Sequence, residues 1–175
     1  MPTGTPGFVL LANRSSVVSA GPPAHLSTAT TKAADGLVRD YVIRGTVDVL
    51  LTGRLGKGFS DLFGPEAVAV LARPGNDRTT VTDLGDARSS GAIRVRASMH
   101  LTGLGDQNGN IVMMSASFQA STRRGELAID RSGELLLGRG TGGHWVIIGY
   151  NVRAHRALGV ASASTTTAST SGRKP

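Results

Sequence analysis

Few side chains in this sequence have the spacing that chemistry needs. The four histidines, His25, His100, His144 and His155, stand far apart, and none forms a His-x-x-x-His or carboxylate-flanked pair. A zinc site needs three or four convergent ligands, so no metal ligand is assigned; His100 could face His144 or His155 across a sheet, but no spacing requires it. The chain has no cysteine, which excludes a disulfide framework, a thiol nucleophile and any thiolate metal site. Serines are plentiful, yet none lies in Gly-x-Ser-x-Gly, and a hydroxyl nucleophile needs a base and an orienting carboxylate beside it. Gly53-Arg-Leu-Gly56-Lys-Gly58 invites comparison with a phosphate loop. It lacks the Gly-x-x-x-x-Gly-Lys-Ser/Thr spacing and follows a predicted helix instead of a buried strand. The run Gly138–Gly143 is explained by a hairpin turn. No catalytic residue and no cofactor-binding set emerge.

The charge balance points outward instead. The formal net charge is +7, and only Lys32, Lys57 and Lys174 are lysines, so the basic groups are nearly all arginine. A positive field favours anionic partners such as nucleic acid, phospholipid or acidic polymer. The arginines are spread along the chain, so a solvated basic surface is a better reading than a nucleic-acid site.

The elements that must position these groups follow from periodicity. Residues Ala34, Leu37, Val38, Tyr41, Val42, Gly45 and Val49 fall at helical spacing, with a Ser or Thr near Ser27–Thr31 to cap the start. A strand over Tyr41–Leu51 is the competing reading, because Val, Ile and Thr are dense there; helix is preferred. Gly53–Gly58 breaks it. Ser60–Arg73 reads as one or two short helices, with Pro65 in a first turn and Glu66 at the positive end of the dipole. Phe59 and Phe63, four apart, can clasp the long helix. Pro74–Gly91 reads as a polar connection with a turn of helix near Val81–Leu84.

Four strands follow. Ile93, Val95, Ala97, Met99 and Leu101 alternate with Arg94, Arg96, Ser98, His100 and Thr102, the period of a half-buried strand. Asn108-Gly109 marks a hairpin turn within Gly103–Asn110. Val112, Met114, Ala116, Phe118 and Ala120 alternate with Met113, Ser115, Ser117, Gln119 and Ser121. Arg123–Glu126 turns the chain. Leu127 and Ile129 resume the pattern, Ser132-Gly133 suggests a bulge, and Leu135–Leu137 continues to the turn at Gly138–Gly143. Trp145–Arg153 is the last strand. Consecutive hairpins give a meander with one apolar and one polar face. With one Trp, two Tyr and four Phe, the core must be mostly Val, Leu, Ile, Ala and Met. Residues 1–27 read as a flexible arm with a short ordered piece around Phe8–Leu11, residues 28–158 as one α+β domain, and residues 159–175 as a disordered Ser/Thr/Ala-rich tail.

The ending Gly143-His-Trp145-Val-Ile-Ile-Gly-Tyr150-Asn-Val152 resembles the last strand of nuclear-transport-factor-two-like and ketosteroid-isomerase-like domains, where a Gly-x-Trp turn leads into an apolar alternating strand. Over roughly Thr28–His155, the order of long helix, short helices and meander resembles cystatin-like cone folds. The chain is also similar to small actinobacterial envelope proteins of this superfamily, including those associated with mammalian-cell-entry systems. The resemblance implies an α+β fold with N-terminal helices packed on a curved antiparallel meander of four or more strands. In the envelope relatives the domain follows a signal or membrane anchor. Met1–Gly7 has no basic residue and the apolar run Phe8–Ala12 is too short for a signal, and no stretch approaches the ~20 apolar residues of a membrane span. As written the chain therefore reads as cytoplasmic, and as envelope-associated if its N-terminus is truncated.

Isomerase-like members place an acidic base and a hydrogen-bonding acid inside the cone; the resemblance would put Asp48, Tyr41, Asp130 and Tyr150 in those roles. Read from the residues, Asp48 sits beside the helix's apolar face and Asp130 is out of phase with Leu127 and Ile129, so both are solvated, while Tyr41 and Trp145 fill core. The polar sheet face carries the functional tilt: Arg94, Arg96, His100, Ser117 and Gln119 project together from neighbouring strands. Three functions follow as expectations. The first is a non-catalytic protein-interaction or accessory domain, as a homodimer or a subunit of a cell-envelope assembly. The alternatives are a small isomerase-like pocket enzyme and a weak binder of nucleic acid or anionic polymer.

Overall fold

The computed structural model describes residues 7–71 and 91–158. The turn expected near Val81–Leu84 and the tail from Gly159 lie outside the described residues. In chain order come β1 (Gly7–Ser19), α1 (Thr28–Val42), a π-helical turn (Ile43–Val47), α2 (Asp48–Thr52), a 3-10 turn (Ser60–Leu62) and α3 (Pro65–Leu71). They are followed by β2 (Ile93–Gly105), β3 (Ile111–Arg124), β4 (Leu127–Arg139) and β5 (Trp145–Leu158).

The helical reading of Tyr41–Leu51 holds, and α1, the π turn and α2 form one continuous rod. The Ser27 hydroxyl caps it by accepting the Thr30 N–H at 3.1 Å, satisfying one of the first-turn amides that lack a partner within the helix. The apolar positions Ala34, Val38, Tyr41, Val42, Val49 and Leu50 are buried. Burying that stripe outweighs the weak helix propensity of the β-branched residues after Tyr41. The π turn widens the rod by one residue, with the Asp48 N–H reaching the Ile43 carbonyl. Nearby, the Arg44 carbonyl accepts the Gly56 N–H from the following loop at 2.8 Å, and the Arg44 guanidinium pairs with Asp40 at 2.7 Å and donates to the Gly58 carbonyl at 2.9 Å. Arg124 of β3 donates to the Leu50 carbonyl, tying the rod's end to the sheet.

The strands β2–β5 form the expected meander of consecutive antiparallel neighbours. At its first hairpin the Asp106 carboxylate accepts the Asn108 and Asn110 amides at 2.8 and 2.9 Å. These bonds, the Asn110 amide's foremost, hold its carboxyl below the usual range,.

Three expectations are corrected. Where the sequence suggests a flexible arm with a short ordered piece at Phe8–Leu11, Gly7–Ser19 form a strand running parallel to β2, so the sheet is mixed and has five strands. Almost every β1 side chain is exposed; backbone pairing with β2 holds it, and pairing leaves no local hydrophobic pattern to read. Second, Val112 is 44% exposed instead of core-facing. The pairing slips a residue there, matching Leu104 to Met113 and Gly105 to Ile111, so Ile111 packs against the core in its place. Third, no bulge lies at Ser132-Gly133, where the register runs unbroken through Phe118, Gly133 and Val152. Gly133 is required by close approach, since a Cβ there would lie 2.2 Å from the Asn151 carbonyl oxygen. The slip falls instead at Leu136/Leu137, opposite Gly149 and Ile147.

The inner face of the sheet carries the core. Met99, Leu101, Met114, Phe118, Leu135 and Ile147 are buried beneath the helical rod. Tyr41 centres it, with Phe59, Phe63 and Phe118 at 5.8, 6.2 and 5.8 Å between ring centroids; the two phenylalanines of the loop do clasp the helix. Phe63 and Gly64 also lie along the β5 edge, the Gly64 N–H donating to the Ile147 carbonyl at 2.8 Å. Among the described residues no helix is long and apolar enough to cross a membrane.

Candidate functional site

Among the described residues the outer face of the sheet is open, and its register sorts the polar side chains into rows. Because side chains alternate along a strand and neighbouring strands lie about 4.8 Å apart, residues paired in register form a line across the sheet. One row sets Arg94 directly opposite Arg123. The next runs through Val9, Arg96, Ser121, Asp130 and His155, and the one after through Ala12, Ser98, Gln119, Ser132 and Arg153. A fourth carries Arg14, His100, Ser117, Glu134 and Asn151. The β2–β5 members of the first three rows line an open groove of about 960 Å³, to which β1 adds its bulged residue Leu11.

All five residues expected to share a face do so. Arg94, Arg96, His100, Ser117 and Gln119 lie in adjacent rows and are exposed. His100 and Ser117 are direct cross-strand partners, and the His100 ring lies 3.2 Å from the Ser16 hydroxyl of β1. Sequence reading misses Arg123, Arg153 and Arg14 on this face. Arg123 continues the Gln119, Ser121 alternation past the point where the strand was ended, so that signal was present; Arg14 lies on the unforeseen β1. Among the described residues, Arg94, Arg96, Arg123 and Arg153 enter no ion pair, and Asp130 in the same groove enters none either. The groove is thus a field of solvated guanidiniums with one carboxylate inside it.

The inner face holds a second polar feature. Arg131 follows Leu127 and Ile129 in phase and is 2% exposed. Its guanidinium carbon lies 5.2 Å from the centre of the Tyr41 ring, and the guanidinium donates a hydrogen bond to the Tyr41 hydroxyl. Burial pushes the Tyr41 phenol above its ordinary range, with the Arg131 charge working against that rise and Tyr150 adding to it. Burial likewise lowers the Arg131 guanidinium, opposed by Tyr41. The rod makes room for this pair at Gly45, where a Cβ would lie 2.9 Å from the Phe59 ring and 3.2 Å from Arg131 Nη1. Arg131 was legible as the one charged residue in an otherwise apolar inner series.

Of the four positions an isomerase-like site would use, the structure brings two together. Tyr41 and Tyr150 both face the inner side, Tyr150 packing on Phe63 at 5.9 Å. Asp48 lies by Gly56 on the loop side of the rod, and Asp130 lies in the outer groove. The histidines do not converge: His100 and His155 sit two rows and three strands apart on the outer face, and His144 is in the turn before β5. Among the described residues no group of three or more His, Asp or Glu side chains could hold a metal ion.

No protein-family model, no curated protein and no solved structure matches this chain.

Proposed function

We propose that this is a non-catalytic interaction or accessory domain of the cystatin-like cone, nuclear-transport-factor-two-like kind, which holds a protein partner on the outer face of its sheet. The observation that carries the reading is the contrast between the two faces. The inner face is spent on packing the helical rod, while the outer face presents Arg94, Arg96, Arg123 and Arg153 without ion-pair partners among the described residues. Solvating one side is ordinary for an antiparallel sheet; gathering like charges there is not. A cell-envelope assembly as the setting rests on the resemblance of roughly Thr28–His155 to envelope proteins of that superfamily.

A second reading, a small pocket enzyme, draws on Tyr41, Arg131 and Tyr150 meeting beneath the rod. The placement of Asp48 and Asp130 away from that centre weighs against it.

The test is a photo-cross-linking residue at Gln119 compared with one at Leu51, which is 53% exposed on the helical side, in cells expressing the full chain. A discrete heavier adduct from Gln119 and none from Leu51 supports the reading. No adduct at Gln119, or the same adducts from both positions, overturns it.

A further inference from the structure

We propose that the outer groove is a docking site for an acidic, extended polypeptide segment of a partner protein, with the segment's carboxylates taken by Arg94, Arg96, Arg123 and Arg153. The inference rests on the interaction reading above and names the partner's chemistry.

Arg94 and Arg123 are direct cross-strand partners. Like charges in that relation oppose strand pairing, and no described carboxylate pairs with either. Local rules of this kind are most often broken where function needs the residue. Arg96 and Arg153 extend the charge across the groove. Guanidinium forks match carboxylates in two-point geometry, and arginines one row apart on a strand are about 6.8 Å apart, the repeat of alternate side chains in an extended peptide.

The same surface disfavours the other anionic or protein occupants. A second copy of this chain on the same face would set arginines against arginines, a juxtaposition that costs affinity. A nucleic acid would find no Phe, Tyr or Trp among the described groove-lining residues on which to stack its bases, and the Asp130 carboxylate would oppose a continuous phosphate backbone. A polypeptide places its negative charges discretely and can leave Asp130 facing an amide. It can also use Leu11, 63% exposed at the rim, as an apolar contact that phosphate cannot.

The experiment titrates the full chain into a fluorescent glutamate/alanine peptide and, separately, into a thymidine oligonucleotide of equal charge, following anisotropy at low and physiological salt. The peptide is expected to bind more tightly than the oligonucleotide and to weaken as salt rises. Arg94→Glu/Arg123→Glu is expected to lower peptide affinity at least about tenfold. Lys32→Glu/Lys57→Glu changes net charge equally on the helical side and is expected to lower it less than about twofold. Arg123→Glu alone sets a carboxylate against Arg94, so its melting temperature should rise while its peptide affinity falls; that combination separates lost binding from lost folding. Equal losses in the two double variants, or tighter binding of the oligonucleotide, overturn the proposal. A partner cross-linked at Gln119 by a chain that ignores the peptide also overturns it, while leaving the interaction reading standing.

Discussion

Arg131 and Tyr41 form the least expected pair in the molecule. A guanidinium removed from water costs several kcal/mol unless its surroundings repay it, and here the repayment comes from a phenol oxygen and an aromatic face. Replacing Tyr41 by Phe keeps the ring and deletes the acceptor. Chemical denaturation of Tyr41→Phe should therefore show a loss of about 1–3 kcal/mol, the cost of a buried charged donor losing a partner; a neutral result would mean the ring alone holds Arg131. The pair also sets an alkaline limit. Folded Tyr41 keeps its proton to higher pH than the unfolded chain does, so the unfolded state ionises first as pH rises. Tyr41's contribution is complete below about pH 10 and declines above it. Stability measured across that range should fall in the parent and fall less steeply in Tyr41→Phe. At this scale the sequence was readable where phase was unbroken: Arg94, Arg96, His100, Ser117 and Gln119 share a face as their alternation required. Arg131 obeys the same alternation, but a bulge expected at Ser132-Gly133 interrupts the phase just after it and hides its place on the inner face; the register in fact runs through unbroken.

Among the elements, the helical rod shows how packing overrides propensity. Gly45 and Gly36 lie on the same rod and would be treated alike by propensity, which favours Ala over Gly by about 1 kcal/mol. Their surroundings differ. A Cβ at Gly36 meets nothing within 4 Å, whereas one at Gly45 meets the Phe59 ring at 2.9 Å. Gly36→Ala should stabilise by about 0.5–1 kcal/mol, and Gly45→Ala should destabilise by about 1–3 kcal/mol through overpacking at the π turn. Thermal melts of the two variants decide this, and a stabilised Gly45→Ala would show that the turn closes more loosely than the contacts indicate. Strands β2–β5 were legible because each has one dry and one wet face. Strand β1 was not, because both its faces are largely wet and each of its residues pairs with one 86 or 87 positions away in sequence, Gly7 with Arg94 and Ser19 with Gly105. The slip at Val112 was hidden for a related reason, since Ile111 and Val112 are equally apolar and only the β2 register chooses between them.

At the scale of the molecule, the described residues form a sheet with one face closed by helices and the other left open and basic, in a chain of net charge +7. The α+β plan and the order of helices before meander were written in the periodicity; the gathering of dispersed arginines into one groove was not, because it depends on how five strands align. That gathering is what the interaction reading depends on, and it can be mapped residue by residue. Amide chemical-shift changes in the isotope-labelled full chain, followed while the glutamate/alanine peptide is added, should cluster at Arg94, Arg96, Gln119, Arg123 and Arg153 and leave the helical rod still. Shifts centred instead on Phe8, Asp35 and Arg39, beside the separate groove between β1 and α1, would contradict the assignment of the outer face.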